Sequence, residues 1–534
     1  MASNSIVVIG GGINGLVAAT VLAKSGLKPL LLERSSRVGG IASTVEIAPG
    51  FRCPAVTHTV PMDRALVRTL GLERHGLQIV SPGAHVFAPT MDGAGLVLWN
   101  DAARAAQEIK RFSTRDAERY PAFLECFSRI AAVLRAVHDA VPPSIDGPNA
   151  GDLIELLKTG RKFRSLGRAN AYRLLRWMPM AAADLVAEWF ESEPLRAAVA
   201  AGGVAGSFLG PWSAGSGALL MLLGATDGQP FAPGLRARGG PGAVADALAA
   251  AARQAGATLR TDADVTDISV VDGAAKGVVL STGESIEAAT VLSSVDPKRT
   301  LLGLVGATHL TPDFVRRIQN IRAHGTLAKV NLAVSRLPPF AGSDGSETER
   351  AASLSGRIRL APDIDAIERA FDAAKYGRIP DEPWIELTIP SIADPGLAPA
   401  GAHTVSAYVQ FAPYHLRDTS WNAERERLGD LAVRTIGKYA PGFESSVVAR
   451  QTIAPPDLES AYGLSGGHIF QGELVLDQYY VTRPLLGWAR YGTPIDGLYL
   501  CGDGTHPGPA AAGRSGALAA GEIVKVLKRS TGLR

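Results

Sequence analysis

Cysteine is scarce in this 534-residue chain: Cys53, Cys126 and Cys501 are the only three, too few for a disulfide framework or a zinc-type cluster. No C-x-x-C pair occurs either, so thiol–disulfide exchange is not expected and a reducing, cytoplasmic setting is. Excess charge of one sign is missing too. Lys plus Arg number 54 against 51 Asp plus Glu, a net charge of +3, which is no surface for tracking phosphates and argues against a nucleic-acid partner. One stretch, Ala197 to Thr226, runs 30 residues without a charge, but seven glycines and Pro211 interrupt it. A lipid-facing helix would lose its backbone order there, so the stretch reads as the buried lining of an apolar cavity. The strand-like Ile6-Val7-Val8-Ile9 begins so early that no basic leader is expected before it.

With 46% apolar and 20% charged residues, a globular chain of two to four domains is expected. Its opening segment, Ile6 to Glu33, reads strand, glycine turn, helix, strand. Gly10, Gly12 and Gly15 fill G-x-G-x-x-G around Asn14. The first makes a tight turn, the second admits a pyrophosphate against the backbone, and the third packs helix on strand. Phosphate then sits on the unpaired N–H groups of the helix start. Glu33 ends the second strand, where a carboxylate holds the ribose hydroxyls of an adenosine and repels a 2′-phosphate.

Two further pieces turn the reading from nicotinamide to flavin. Arg34-Ser35-Ser36-Arg37-Val38-Gly39-Gly40-Ile41 is a basic turn that can bring N–H groups and an arginine to phosphate and flavin. Near the other end, a strand closes on Gly502-Asp503 and a helix opens near Ala512-Gly513. Asp503 is placed to accept from ribityl hydroxyls, and the helix start to face the electron-rich edge of the ring. The expected cofactor is FAD.

GGGINGL, Glu33-Arg34, the Gly39-Gly40 pair and GDGTHPG together resemble the phytoene desaturase and flavin amine oxidase superfamily, as does Arg238 to Val244 before an alanine-rich helix. GGHIFQGELVLDQYYVTRP from Gly466 and AKVNLAVSRLPPF from Ala328 resemble its narrower branch of pyridine nucleotide-disulfide oxidoreductase domain-containing protein 2. The resemblance implies an α/β fold: a Rossmann-like FAD domain with a β-meander (residues 1–75, 228–305 and 485–534), interleaved with a mixed α+β substrate domain (76–227 and 306–484, helical over 100–227). It also implies that the Val265 backbone meets the adenine; from residue type alone Val265 is equally an ordinary core position.

Catalytic candidates are few, because flavin carries the hydride. Val330, Leu332 and Val334 alternate on one strand face and put Lys329 on the other. The resemblance gives such a lysine a water beside the flavin; the plain alternative is an exposed lysine on an edge strand. His58 and His506 are acid–base candidates, or hydrogen-bonded structural histidines. A second G-x-G-x-x-A at Gly240 lacks a preceding strand, and Gly463-x-Ser465-x-Gly467 lacks the strand–turn–helix of a nucleophile elbow; no metal ligands cluster. Lys158 to Arg176 holds seven basic residues and no acidic one, interleaved with Leu157, Tyr172 and Leu175. Such a segment lies on an anionic membrane, faces solvent, or joins copies of the chain. The expected activity is dehydrogenation of an apolar, isoprenoid- or carotenoid-like small molecule. The alternatives are a flavin amine oxidase and a flavin-binding interaction protein without turnover.

Overall fold

The run Ile6–Ile9 is wholly apolar and forms a fully buried strand, β1. Gly10 then turns the chain at φ +93°, and helix α1, Ile13–Lys24, leads to β2, Pro29–Leu32. In the computed structural model, described for residues 6–145, 147–148, 150–231, 234–343 and 345–531, β1 pairs in parallel with β2 and with Thr290–Ser293. Thr258–Arg260 and Leu498–Leu500 complete a five-stranded parallel sheet with β1 at its centre. Continuous apolar runs suit strands covered on both faces. Helix α2, Pro241–Ala255, and helix α3, Arg514–Thr531, both pack on α1.

The antiparallel meander Val265–Val271, Ala274–Leu280 and Ser285–Glu287 lies on the other side. Its Asp272-Gly273 turn has φ +50° and +75°, the left-handed pair a tight hairpin needs. The core under the meander runs past the boundary expected at 305. Leu310, Phe314, Ile318 and Ile321 share one apolar cluster with Val7 and Val265, because Pro312–Gln319 forms an amphipathic helix that closes it.

The second unit is a seven-stranded sheet. Its middle strands are β3 (Leu327–Val334), β4 (Arg357–Leu360), β5 (Trp384–Thr388) and β6 (His403–Gln410), in the order Val447–Ile453, β3, β6, β5, β4, Ala84–Pro89, Gly95–Trp99. Helices from Ala102–Ile109 to Ser216–Gly224 pack against it. The charge-free stretch from Ala197 to Thr226 is broken by glycine turns, and Gly202, Ala205, Gly206 and Leu223 of it line the large cavity. Among the described residues no helix is long and apolar enough to cross a membrane.

Candidate functional site

A cleft of about 1890 Å³, counted out to its open mouth, runs from the glycine turn to the seven-stranded sheet. Gly10, Gly12 and Asn14 line it. A Cβ on Gly15 would stand 2.0 Å from the Gly10 carbonyl oxygen, whereas one on Gly12 would meet nothing within 4 Å. Gly15 therefore serves helix-on-turn contact, and Gly12 opens a cradle for a ligand. No side chain caps the first turn of α1, which leaves its N–H groups for an anion. Glu33 is buried and held by two backbone donors, Gly11 N to Oε2 at 2.7 Å and Ser35 N to Oε1 at 2.8 Å. Val265 lines the same end, and Gly39, Gly40 and Ile41 the next section. Arg34 also lines the cleft, and its guanidinium donates to the Ser460 and Ala461 carbonyls, anchoring helix Pro455–Tyr462.

The two ends of the chain meet in the middle of the cleft. Asn14 Nδ2 donates to Asp503 Oδ1 at 2.7 Å, and Asn14 Oδ1 accepts from Gly516 N at 3.3 Å. Burial pushes the Asp503 carboxyl up, against the pull of Asn14 and Arg483. Arg483, 2% exposed, donates six hydrogen bonds to the carbonyls of Phe470, Gly472, Glu473, Gln478 and Asp503 and so fixes the loop that presents Asp503. Gly502 and Gly513 do not line the cleft. A Cβ on Gly502 would lie 2.2 Å from Gln471 Oε1, and one on Gly513, where φ is +80°, would lie 2.8 Å from Val17 Cγ2. Both glycines let neighbouring segments close on the site, with Pro509 and Ala512 as its wall before α3.

At the sheet end the histidines part company. His58 lines the cleft and stacks on Tyr408 with ring centres 3.8 Å apart. Among the described residues neither of its ring nitrogens makes a well-aligned hydrogen bond, the Ser406 backbone giving the ring's pKa only a weak upward pull. Burial, then the nearby Lys329 and Arg357, hold its pKa well below the usual histidine range. His506 is not at the cleft, contrary to expectation: its ring turns to the end of helix Thr114–His138, with Nε2 3.0 Å from the Val137 carbonyl. Lys329 is likewise off the lining, and the exposed-edge alternative also fails. β3 is flanked by β6 and Val447–Ile453, Lys329 is 0% exposed, and its ammonium lies 4.3 Å from the Tyr408 ring centre. Burial drives its pKa far down.

Sequence reasoning missed the floor of the cleft. Arg357, Arg359, Glu386 and Tyr408 line it, and Glu386 bridges the two arginines. Burial pushes the Glu386 carboxyl up, but Arg357 and Arg359 together outweigh this and hold it below the carboxylate range. The available signal was Arg-Ile-Arg-Leu at 357–360, two cations alternating with apolar residues on one strand.

These residues fit FAD: Glu33 for ribose, the open Gly12 turn and α1 for pyrophosphate, Asp503 for ribityl hydroxyls. The chain matches the flavin containing amine oxidoreductase family over residues 13–524. It is 35% identical to pyridine nucleotide-disulfide oxidoreductase domain-containing protein 2 of Rattus norvegicus, across 98% of this chain and 93% of that protein. It is 25% identical to one subunit of the limonene dehydrogenase of Castellaniella defragrans, across 94% and 91%. A solved oxidoreductase from Methanosarcina mazei has the same fold, with a TM-score of 0.60 at 15% identity over 98% of this chain and 100% of that one. Matched over nearly its whole length, and with a cleft built for the dinucleotide, the chain belongs to the flavin containing amine oxidoreductase family and is an FAD-dependent oxidoreductase.

Proposed function

We propose that the enzyme dehydrogenates an apolar, isoprenoid-like molecule. The apolar part of the cavity wall carries this reading: Ala205, Leu223, Phe231, Ile469 and Phe470 are among the residues that line it beyond the glycine turn, which suits a hydrocarbon body. The relative that forms part of a limonene dehydrogenase supports it. Bound FAD supplies the two-electron acceptor for a hydride. The protein's part is to hold the substrate's C–H bond in place and keep water out. Hydride loss leaves positive charge on the substrate carbon and makes the neighbouring C–H acidic. His58 takes that proton, the electron pair left behind forms the C=C bond, and a weak base is enough. Tyr408 keeps the ring in place by stacking and by accepting the His58 backbone N–H at 3.1 Å. His58→Leu is expected to retain FAD while slowing its anaerobic reduction at least tenfold; an unchanged rate removes His58 from the chemistry.

Anaerobic mixing of the purified protein with isoprenoids and with primary amines tests the reading itself. Bleaching of the flavin absorbance by isoprenoids, and not by amines, is the expected result; the reverse favours amine oxidation, the second reading, which the family match motivates. We also propose that substrate is drawn from an anionic membrane. Leu153, Ile154, Leu157, Tyr172 and Leu175 are exposed on helices Ala150–Ser165 and Gly167–Trp177 beside the basic residues from Lys158 to Arg176, a pairing that suits an interface. Co-sedimentation with phosphatidylglycerol vesicles, not phosphatidylcholine vesicles, and its weakening by Leu157→Glu are expected. Equal behaviour with both lipids counts against it.

A further inference from the structure

Gln471 lines the cleft beside its chain neighbours Ile469 and Phe470, and its side-chain amide is engaged at both ends. Nε2 donates to the Ser294 carbonyl at 3.1 Å, and Oε1 accepts from Gly504 N at 2.9 Å. Ser294 is in turn fastened to the opening turn: its N–H donates to the Ile9 carbonyl, and its hydroxyl to the Ile9 and Gly10 carbonyls at 2.9 and 3.0 Å. The glycine turn, the end of strand Thr290–Ser293 and the loop that carries Asp503 are therefore joined through Gln471, by a route separate from the Asn14–Asp503 bond.

This link has little slack. The Gln471 backbone stands at φ +56°, a left-handed conformation that a residue with a side chain adopts where its surroundings impose it. Arg483 takes the carbonyls on either side of it, Phe470 at 2.8 Å and Gly472 at 3.2 Å, and the Gln471 N–H donates to the His468 carbonyl at 3.0 Å. A Cβ on Gly502 would lie 2.2 Å from Gln471 Oε1, and one on Gly504 2.3 Å from Pro297 Cδ. Behind the apolar wall the packing is as close, since a Cβ on Gly206 would lie 2.7 Å from Phe470 Cζ and 2.9 Å from Ile469 Cδ1. Close-packed segments pass a displacement on to their neighbours.

We infer that Gln471 is a positioning residue that couples the apolar part of the cleft to the cofactor. A molecule seated against Ile469 and Phe470 shifts the Gly502–Gly504 loop through the Gln471 amide, and the Asp503 carboxylate moves with it. Occupancy of the cavity and the redox poise of FAD then depend on one another, since such a coupling is reciprocal. The inference rests on the apolar reading of the same cavity and adds how an occupant is felt at the cofactor.

Hydrogen exchange and potentiometry on the FAD-loaded protein test it, with decanol as the probe. Saturating decanol is expected to change exchange of the Gly504 amide in the wild type at least threefold. It is also expected to bind the oxidised and reduced forms with affinities at least threefold apart, a midpoint shift of about 14 mV for two electrons. Gln471→Met keeps the length and loses both polar ends; it should still bind FAD and decanol, yet lose both responses. A purely structural role would weaken binding of FAD and leave the responses in place. Decanol binding, followed by calorimetry, with Gly504 exchange unchanged in the wild type overturns the inference, as do responses of full size in Gln471→Met. Gln471→Asn, one methylene short of its partners, serves if the methionine variant does not fold, and the wild-type exchange decides if neither does. Failure of decanol to bind removes the apolar reading and the coupling with it. Both responses in a protein whose flavin no isoprenoid reduces would keep the coupling and reject the dehydrogenation.

Discussion

Arg483→Met is expected to destabilise the protein by about 4 kcal/mol or more and to release its FAD. The guanidinium serves five carbonyls from within the core. Each buried acceptor left unpaired costs about 1–3 kcal/mol, and some recover a partner by relaxation. Burial pulls this side chain's pKa down to about 10, and the neighbouring Asp503 and Glu473 pull it back up, so it stays a cation at neutral pH. Methionine matches its length and offers no donor. Two of the lost bonds run to the Asp503 carbonyl, so the Asp503 carboxylate is expected to wander. Thermal melts followed by circular dichroism and by flavin fluorescence should show both transitions fall, the first by roughly 3–4 °C or more. A shift under about 2 °C would mean that the loop is held by other contacts. Arg483→Lys should rescue only partly, since an ammonium cannot reproduce the planar fork.

Gly12→Ala and Gly15→Ala separate two reasons for a glycine in one turn. Gly12 has φ −69° and ψ 175°, a conformation alanine adopts freely, and its added methyl would meet nothing within 4 Å. The protein should therefore fold and melt as before. Yet the methyl would occupy the space where a pyrophosphate approaches the backbone, and FAD affinity is expected to fall at least 100-fold by fluorescence titration. Gly15→Ala forces a methyl to 2.0 Å from the Gly10 carbonyl oxygen, so α1 must lift from the turn, and stability and FAD should be lost together. Unchanged FAD affinity in Gly12→Ala would place the dinucleotide elsewhere.

The nucleotide end was legible in the sequence because each residue there answers a local demand of the backbone. Gly10, Gly15 and Glu33 lie within one βαβ unit, and strand–turn–helix order alone sets their neighbours. Lys329 illustrates the limit: alternation correctly put it on the face opposite Val330 and Leu332, but whether its strand was edge or interior depended on its partners Tyr408 and Ile453, 79 and 124 positions away in the chain. The arginine–glutamate floor needed the register of β4 against β5, which no local pattern carries. His506 was misjudged through its closeness in sequence to Asp503: its ring packs toward His138 and Tyr480 instead. The helix Pro312–Gln319, beyond the boundary expected at 305, adds to the core beneath the meander, a long-range contact that no local pattern announces.

The bond between Asn14 and Asp503 joins positions 489 apart, and this has a bearing on biosynthesis. On the ribosome, the glycine turn emerges long before Leu498–Leu500 exists to flank Thr290–Ser293, or α3 to lie along α1. The cleft is complete only once synthesis has passed residue 503, and until that moment the nascent amino-terminal unit lacks an edge strand and presents a naked apolar flank. Loading is thus a late event after long-range closure, and scarcity of the vitamin precursor should show itself in the cell as accumulation of full-length chains in chaperone complexes rather than as truncated products.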